Sequence, residues 1–158
     1  MQGAHNVVVT DLFDFTLGIA EKMGATHTIN IGAQPEGVSD HVTNHGPFDV
    51  VFECSAAEPA ILSAIAAVRP RGTIVQVGVA GSLSLPINAI VGKEINFKGT
   101  HRFHPEFKQA VELIDQGAID VSAIITQTYG MQDALDAFRT ATNRDKAVKV
   151  QLKLDSVS

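Results

Sequence analysis

The sequence predicts an α/β fold built on parallel strands, and three observations carry that prediction. Short β-branched runs alternate along the chain with longer stretches of helical periodicity. Runs such as HNVVVT, FDVVFEC and TIVQVGV are nearly continuous in apolar residues, the habit of strands covered on both faces. Glycines stand where helical stripes stop, at Gly24 and Gly117.

In chain order, residues 5–10 read as a buried strand ending at Asp11. Residues 14–23 read as a helix, with Phe13, Leu17, Ala20 and Met23 forming its apolar stripe. A strand over 26–31 and a short helix over 38–44 follow, then a strong strand over 48–54. Residues 59–68 form a helix with Pro59 in its first turn, where a missing N–H costs nothing. Arg71 and Gly72 turn the chain into a buried strand over 73–79. Residues 83–87 and 94–99 read as further strands around 88–92. The clearest amphipathic helix is 105–116, with Phe107, Ala110, Val111 and Ile114 on one face. Strand 124–129, helix 132–140 and strand 147–154 close the chain; in the last, Val148, Val150, Leu152 and Leu154 alternate with polar residues.

Composition narrows the function classes. The 158 residues carry a net charge of −5 with no basic run, which disfavours nucleic acid as a partner. A single cysteine, Cys54, excludes an internal disulfide and a multi-cysteine zinc cage, and fits a cytoplasmic setting. No stretch approaches the roughly 18 apolar residues of a membrane span, and no signal peptide is expected.

Asp11 is the first residue with chemical content. An acid at the carboxyl end of the second strand of a dinucleotide-binding fold accepts hydrogen bonds from the adenosine ribose and repels a 2′-phosphate, which favours NAD over NADP. Asp14 adds negative charge, and no Arg or Lys follows until Lys22. The alternative role for Asp11 is capping of the helix that follows; the two roles can use different atoms. The usual companion of such an acid is a G-x-G-x-x-G turn about 20 residues upstream. Only residues 1–5 precede the first strand, so that turn is expected to be absent.

The ordered series VVVTD, AEKMGATHTIN, FDVVFECSAAEPAI, PRGTIVQVGV and GKEINFKGTHRF, closed by ALDAF and AVKVQL, resembles the zinc-type medium-chain alcohol and polyol dehydrogenases, the sorbitol, threonine and idonate enzymes among them. The resemblance covers essentially the whole chain. It implies a C-terminal piece: an incomplete Rossmann-type parallel sheet lacking its first strand and glycine-rich loop over residues 1–103, then the C-terminal segment of the catalytic domain over 104–158. It implies an NAD-dependent oxidation of a secondary alcohol in a polyol or sugar acid. In the intact family a zinc ion polarises that alcohol, and its ligands are absent from this sequence. The isolated chain is therefore expected to be inactive. Alternatives are a non-catalytic nucleotide-binding remnant and a methyltransferase-like domain, the latter disfavoured by the ALDAF…AVKVQL ending.

Position by position, the resemblance makes Asp11 the ribose-binding acid and sets Cys54 and Ser55 near the adenosine and nicotinamide riboses. Val77 and Val79 would offer backbone groups to the nicotinamide carboxamide, with Gly78 allowing close approach. Thr100 and Arg102 would close over the nicotinamide, and Lys149 would reach the pyrophosphate unless it is simply an exposed strand lysine. The edge at residues 83–87 is where family members pair across a two-fold axis, so a homodimer is expected there.

In the 3-2-1-4-5-6 strand order of a dinucleotide fold the first strand is central. Without it the chain is expected to be unstable, or to pair its flanking strands directly. Other residues read as structural. His101 and His104 lack a third ligand, His41 and His45 read as solvated surface, Cys54 as a small buried residue rather than a nucleophile, and Arg69 and Arg71 as surface turn residues.

Overall fold

The computed structural model describes residues 3–79 and 81–154, and the chain divides into two compact units. One comprises residues 1–35 and 105–158, the other residues 36–104.

The 36–104 unit holds α2 (Gly37–His45), β3 (Phe48–Glu53), α3 (Glu58–Ala67), β4 (Val68–Gln76), α4 (Ile87–Gly92) and β5 (Asn96–Gly99). Its strands form one parallel sheet in the order β3-β4-β5. Parallel neighbours require crossover connections, and α3 and α4 supply them. The core lies between α3 and this sheet: Ile61, Ala64, Ile65, Val68 and Ile74 are buried, and Val51, Leu83, Leu85, Ile90 and Ile95 pack against them. The opposite side of β3 is open, with Val50 and Phe52 exposed, so its apolar run is covered on one face only.

Two local features fix this unit. Between Phe48↔Val68 and Val50↔Thr73 the β3–β4 register shifts, and Arg71 takes a left-handed φ of 59° within the irregularity. Gly72 follows because a Cβ there would lie 2.5 Å from a Val68 methyl and 2.9 Å from the Arg69 carbonyl. Arg69 and Arg71 are exposed, as expected, and pair with Asp49 and Glu94. At the end of α3, Lys93 donates from its Nζ to the carbonyls of Ile65, Ala66 and Val68 at 2.9, 2.6 and 3.0 Å. These are groups a helix C-terminus leaves without intrahelical partners, and a cation is favoured beside them.

The other unit holds β1 (Val8–Asp11), α1 (Asp14–Lys22) and β2 (His27–Asn30), then α5 (Glu106–Asp115), β6 (Ile125–Gly130), α6 (Ala134–Ala141) and β7 (Lys149–Lys153). Short 3-10 turns precede β6 and α6. β1 pairs with β2 and β6 with β7, both in parallel. Buried apolar side chains here are Leu17, Ile29, Ala137 and Ala147. The α5 face read from the sequence is present, yet Phe107, Val111 and Ile114 on it are exposed.

Several expectations need correction. Residues 83–87 form no strand: they are irregular up to Pro86, and Ile87 opens α4. The alternation of Leu83, Leu85 and Ile87 mimics a strand, but Leu83 and Leu85 use it to seat on the α3 core from an irregular backbone. β1 is half-buried rather than buried. His41 is half-buried, its ring stacked on Phe48 with centroids 5.4 Å apart, rather than solvated.

Candidate functional site

Chemically distinctive side chains gather at the carboxyl ends of strands in each unit, where open parallel sheets present their loops.

In the 36–104 unit the centre is Glu53, the last residue of β3 and 4% exposed. It accepts hydrogen bonds from Ser55 N at 2.7 Å, Ala56 N at 3.0 Å, the Ser55 hydroxyl and Gln76 Nε2. Burial alone would raise the pKa of this carboxyl, but the bonds from Ser55, Gln76 and Ala56 outweigh it and hold the group below its ordinary value. Its main-chain carbonyl accepts Val77 N at 2.8 Å and Gly78 N at 2.9 Å. Gln76 Nε2 also donates to the Gly78 carbonyl at 2.9 Å. One residue thus ties the turn after β3 to the turn after β4.

The fit is close. A Cβ on Gly78 would stand 2.4 Å from Ala56 N and 2.9 Å from Glu53 Oε2, so only glycine passes there. Ala56 itself holds a φ of 61°, a costly conformation for an L residue, fixed by its bonds to Glu53.

Around this hub lie most of the residues singled out in the sequence. Ser55 is exposed and hydrogen bonded to Glu53, while Val77 and Val79 are 41% and 83% exposed just beyond β4. Thr100 N donates to the Gln76 carbonyl at 3.1 Å, which brings the segment after β5 to the same edge. Arg102 is exposed in a left-handed conformation at φ 56°. Cys54 is exposed rather than buried, a correction, because it follows the inward-facing Glu53 and strand alternation turns it outward. Partial desolvation and the adjacent Glu53 charge push its thiol upward, which disfavours the nucleophilic thiolate.

In the other unit, Asp11 ends β1 opposite Asn30 of β2. Its Oδ1 accepts Leu12 N at 2.8 Å and Phe13 N at 3.1 Å, a local turn ahead of α1. Its Oδ2 pairs with a guanidinium nitrogen of Arg144 at 3.3 Å. Asp14 accepts Asn30 Nδ2 at 2.6 Å, and Asn30 Oδ1 accepts Gly32 N and Ala33 N. Lys149 opens β7 with its side chain exposed.

Glu53, Gln76 and Arg144 were not among the residues picked from the sequence. A glutamate closing the apolar run VVFE is a signal that points to Glu53. Nothing in the sequence signals Arg144, which stands 133 positions from Asp11.

Among the described residues, no group of three or more His, Cys, Asp or Glu side chains could hold a metal ion; His101 and His104 are both exposed. The Asp11 side chain is 21% exposed, and its Oδ2, already paired with Arg144, has further acceptor capacity. Among the described residues, no helix is long and apolar enough to cross a membrane.

Parallel strands carrying a strand-end acid and a glycine-tight turn are compatible with a dinucleotide-binding α/β fold, and comparison with known proteins makes the class specific. The family model described as "Zinc-binding dehydrogenase" matches residues 1–116. The chain is 36% identical over 148 residues to a D-xylulose reductase of Saccharomyces cerevisiae, covering 89% of this chain and 42% of that protein. It is 32% identical to the L-idonate 5-dehydrogenase (NAD(P)(+)) of Escherichia coli, over 95% of this chain and 43% of the relative. The crystal structure of the Escherichia coli L-idonate 5-dehydrogenase superposes with a TM-score of 0.84 at 33% identity, over 95% of this chain and 43% of that one. The chain belongs to the zinc-binding dehydrogenase family. It spans less than half the length of the curated relatives it matches.

Proposed function

We propose that this chain supplies cofactor-binding residues of an NAD-dependent oxidoreductase acting on a secondary alcohol of a polyol or sugar acid in the cytoplasm. The observation that carries the reading is Asp11. Its carboxylate is oriented through Oδ1 by two backbone amides, while Oδ2, paired with Arg144 at 3.3 Å, keeps acceptor capacity for a ribose hydroxyl. Residues 1–103 are assigned to the dinucleotide-binding domain and 104–158 to the catalytic domain.

Bound NAD would supply the hydride acceptor of the reaction. The residues here bind and orient it. Asp11 would take the adenosine ribose, with Cys54 and Ser55 along the ribose path, and Lys149 would neutralise pyrophosphate charge. Val77, Gly78 and Val79, held by Glu53 and Gln76, would present backbone groups to the carboxamide, and Thr100 and Arg102 would close over the ring. The chain alone is assigned no turnover.

Isothermal titration of the purified chain with millimolar NADH tests this reading. Binding is expected, and Asp11→Ala should weaken it about tenfold or more, the worth of a charge-assisted hydrogen bond. Absence of heat would remove the nucleotide-binding assignment. NADH appearing from NAD and sorbitol or idonate, with this chain as sole protein, would overturn the assignment of inactivity.

A further inference from the structure

The acid that selects the adenosine ribose does not stand alone. The Arg144–Asp11 contact lies within the unit made of residues 1–35 and 105–158, so the tail of the chain delivers a cation to the specificity position of its head. We propose that Arg144 is a specificity-determining residue that gives the Asp11 edge a place for a 2′-phosphorylated ribose, so that the site takes NADP as well as NAD. This rests on the cofactor reading of Asp11 above.

The argument is one of oxygen atoms. A carboxylate has about four acceptor positions. Leu12 N and Phe13 N occupy the two on Oδ1, and Arg144 takes one of those on Oδ2. With an unphosphorylated ribose, the sugar hydroxyls use what remains of Oδ2, and Arg144 is a bystander or a competitor. With a 2′-phosphate, a lone Asp11 would repel the incoming charge, and Asp14, already engaged by Asn30, adds to that repulsion. A guanidinium beside the same ribose reverses the sign: it matches phosphate geometry with paired donors, the device by which dinucleotide folds accommodate NADP. The group is free to make this exchange. Arg144 is half-exposed and its single bond to Asp11 is long, so the existing pair is weak and breaks at little cost. No rearrangement of α1 or β1 is required, since Asp11 is anchored through its other oxygen.

The test is the ratio of dissociation constants for NADPH and NADH, measured by calorimetry on the purified chain and its variants. Arg144→Gln should leave NADH binding unchanged or slightly tighter and weaken NADPH about tenfold or more, as expected for loss of a charged hydrogen bond to phosphate. Arg144→Lys, which keeps the charge without the planar fork, should fall between. Asp11→Asn should move the ratio the other way. A merely structural tie between Arg144 and β1 would shift both cofactors equally, and an unchanged ratio in Arg144→Gln overturns the proposal while leaving the reading of Asp11 intact. Failure of either nucleotide to bind the unaltered chain overturns both.

Discussion

The two units differ in how completely each covers its own apolar residues. In the 36–104 unit one helix, α3, lies on a three-stranded sheet and closes a contiguous core in which Ile61, Val68 and Ile74 are essentially solvent-free. In the other, four buried apolar residues are spread over α1, β2, α6 and the approach to β7, and α5 and α6 expose Phe107, Leu135 and Phe138. Cooperative stability scales with contiguous buried apolar area, so the first unit is expected to be the more resistant to local unfolding. The second leaves apolar side chains on α5 and α6 largely exposed.

The sharpest way to break this comparison is to excavate the better core. Ile74→Ala should cost about 3 kcal/mol, the transfer and cavity cost of a fully buried isoleucine, read as a lower urea midpoint. A loss under 1 kcal/mol would mean that the core is looser than its burial indicates.

An intermediate effect belongs to Glu53→Gln. Replacing one carboxylate oxygen by an amide donor faces it against N–H groups that need an acceptor, a change of about 2 kcal/mol. The pH dependence follows from the direction of its shift. With the folded pKa below the ordinary value of 4.5, the stabilisation is complete above that value and is lost as pH falls through the folded pKa. Acid unfolding curves should therefore be shallower in the variant, and superimposable curves would show that Glu53 is not the linked group.

The smallest effect is expected on the exposed face of α5. Phe107→Ser on α5 removes a side chain already 55% exposed and should change stability by no more than about 0.5 kcal/mol. A loss comparable to that of Ile74→Ala would place Phe107 in a core and erase the contrast.

Legibility in the sequence follows the same division. β3, α3 and the middle of β4 could be read because their apolar runs are satisfied by neighbours close in the chain, but β4 runs over Val68–Gln76 rather than 73–79. Residues 83–87 were misread because period-two alternation is also what an irregular segment needs to seat Leu83 and Leu85 on a helix. The α5 stripe was read correctly as a pattern, but a pattern cannot say whether a cover exists. At the candidate site, Asp11 was legible from its place after a strand. Its partner was not, since tertiary folding alone brings Arg144 to it. Glu53 was passed over because a glutamate is ordinarily solvated, and its burial depends on donors from Ser55, Ala56 and Gln76 that only the folded turns align.

The Lys93 cluster also decides which substitutions this chain can accept at that position. Three carbonyls converge on its ammonium from the last turn of α3 and the start of β4. A tetrahedral –NH3+ offers three donors to one point, whereas a guanidinium fans its donors across a plane. Exchange of Lys93 for arginine would keep the charge and lose the convergence, making the most conservative-looking replacement at this position a disruptive one.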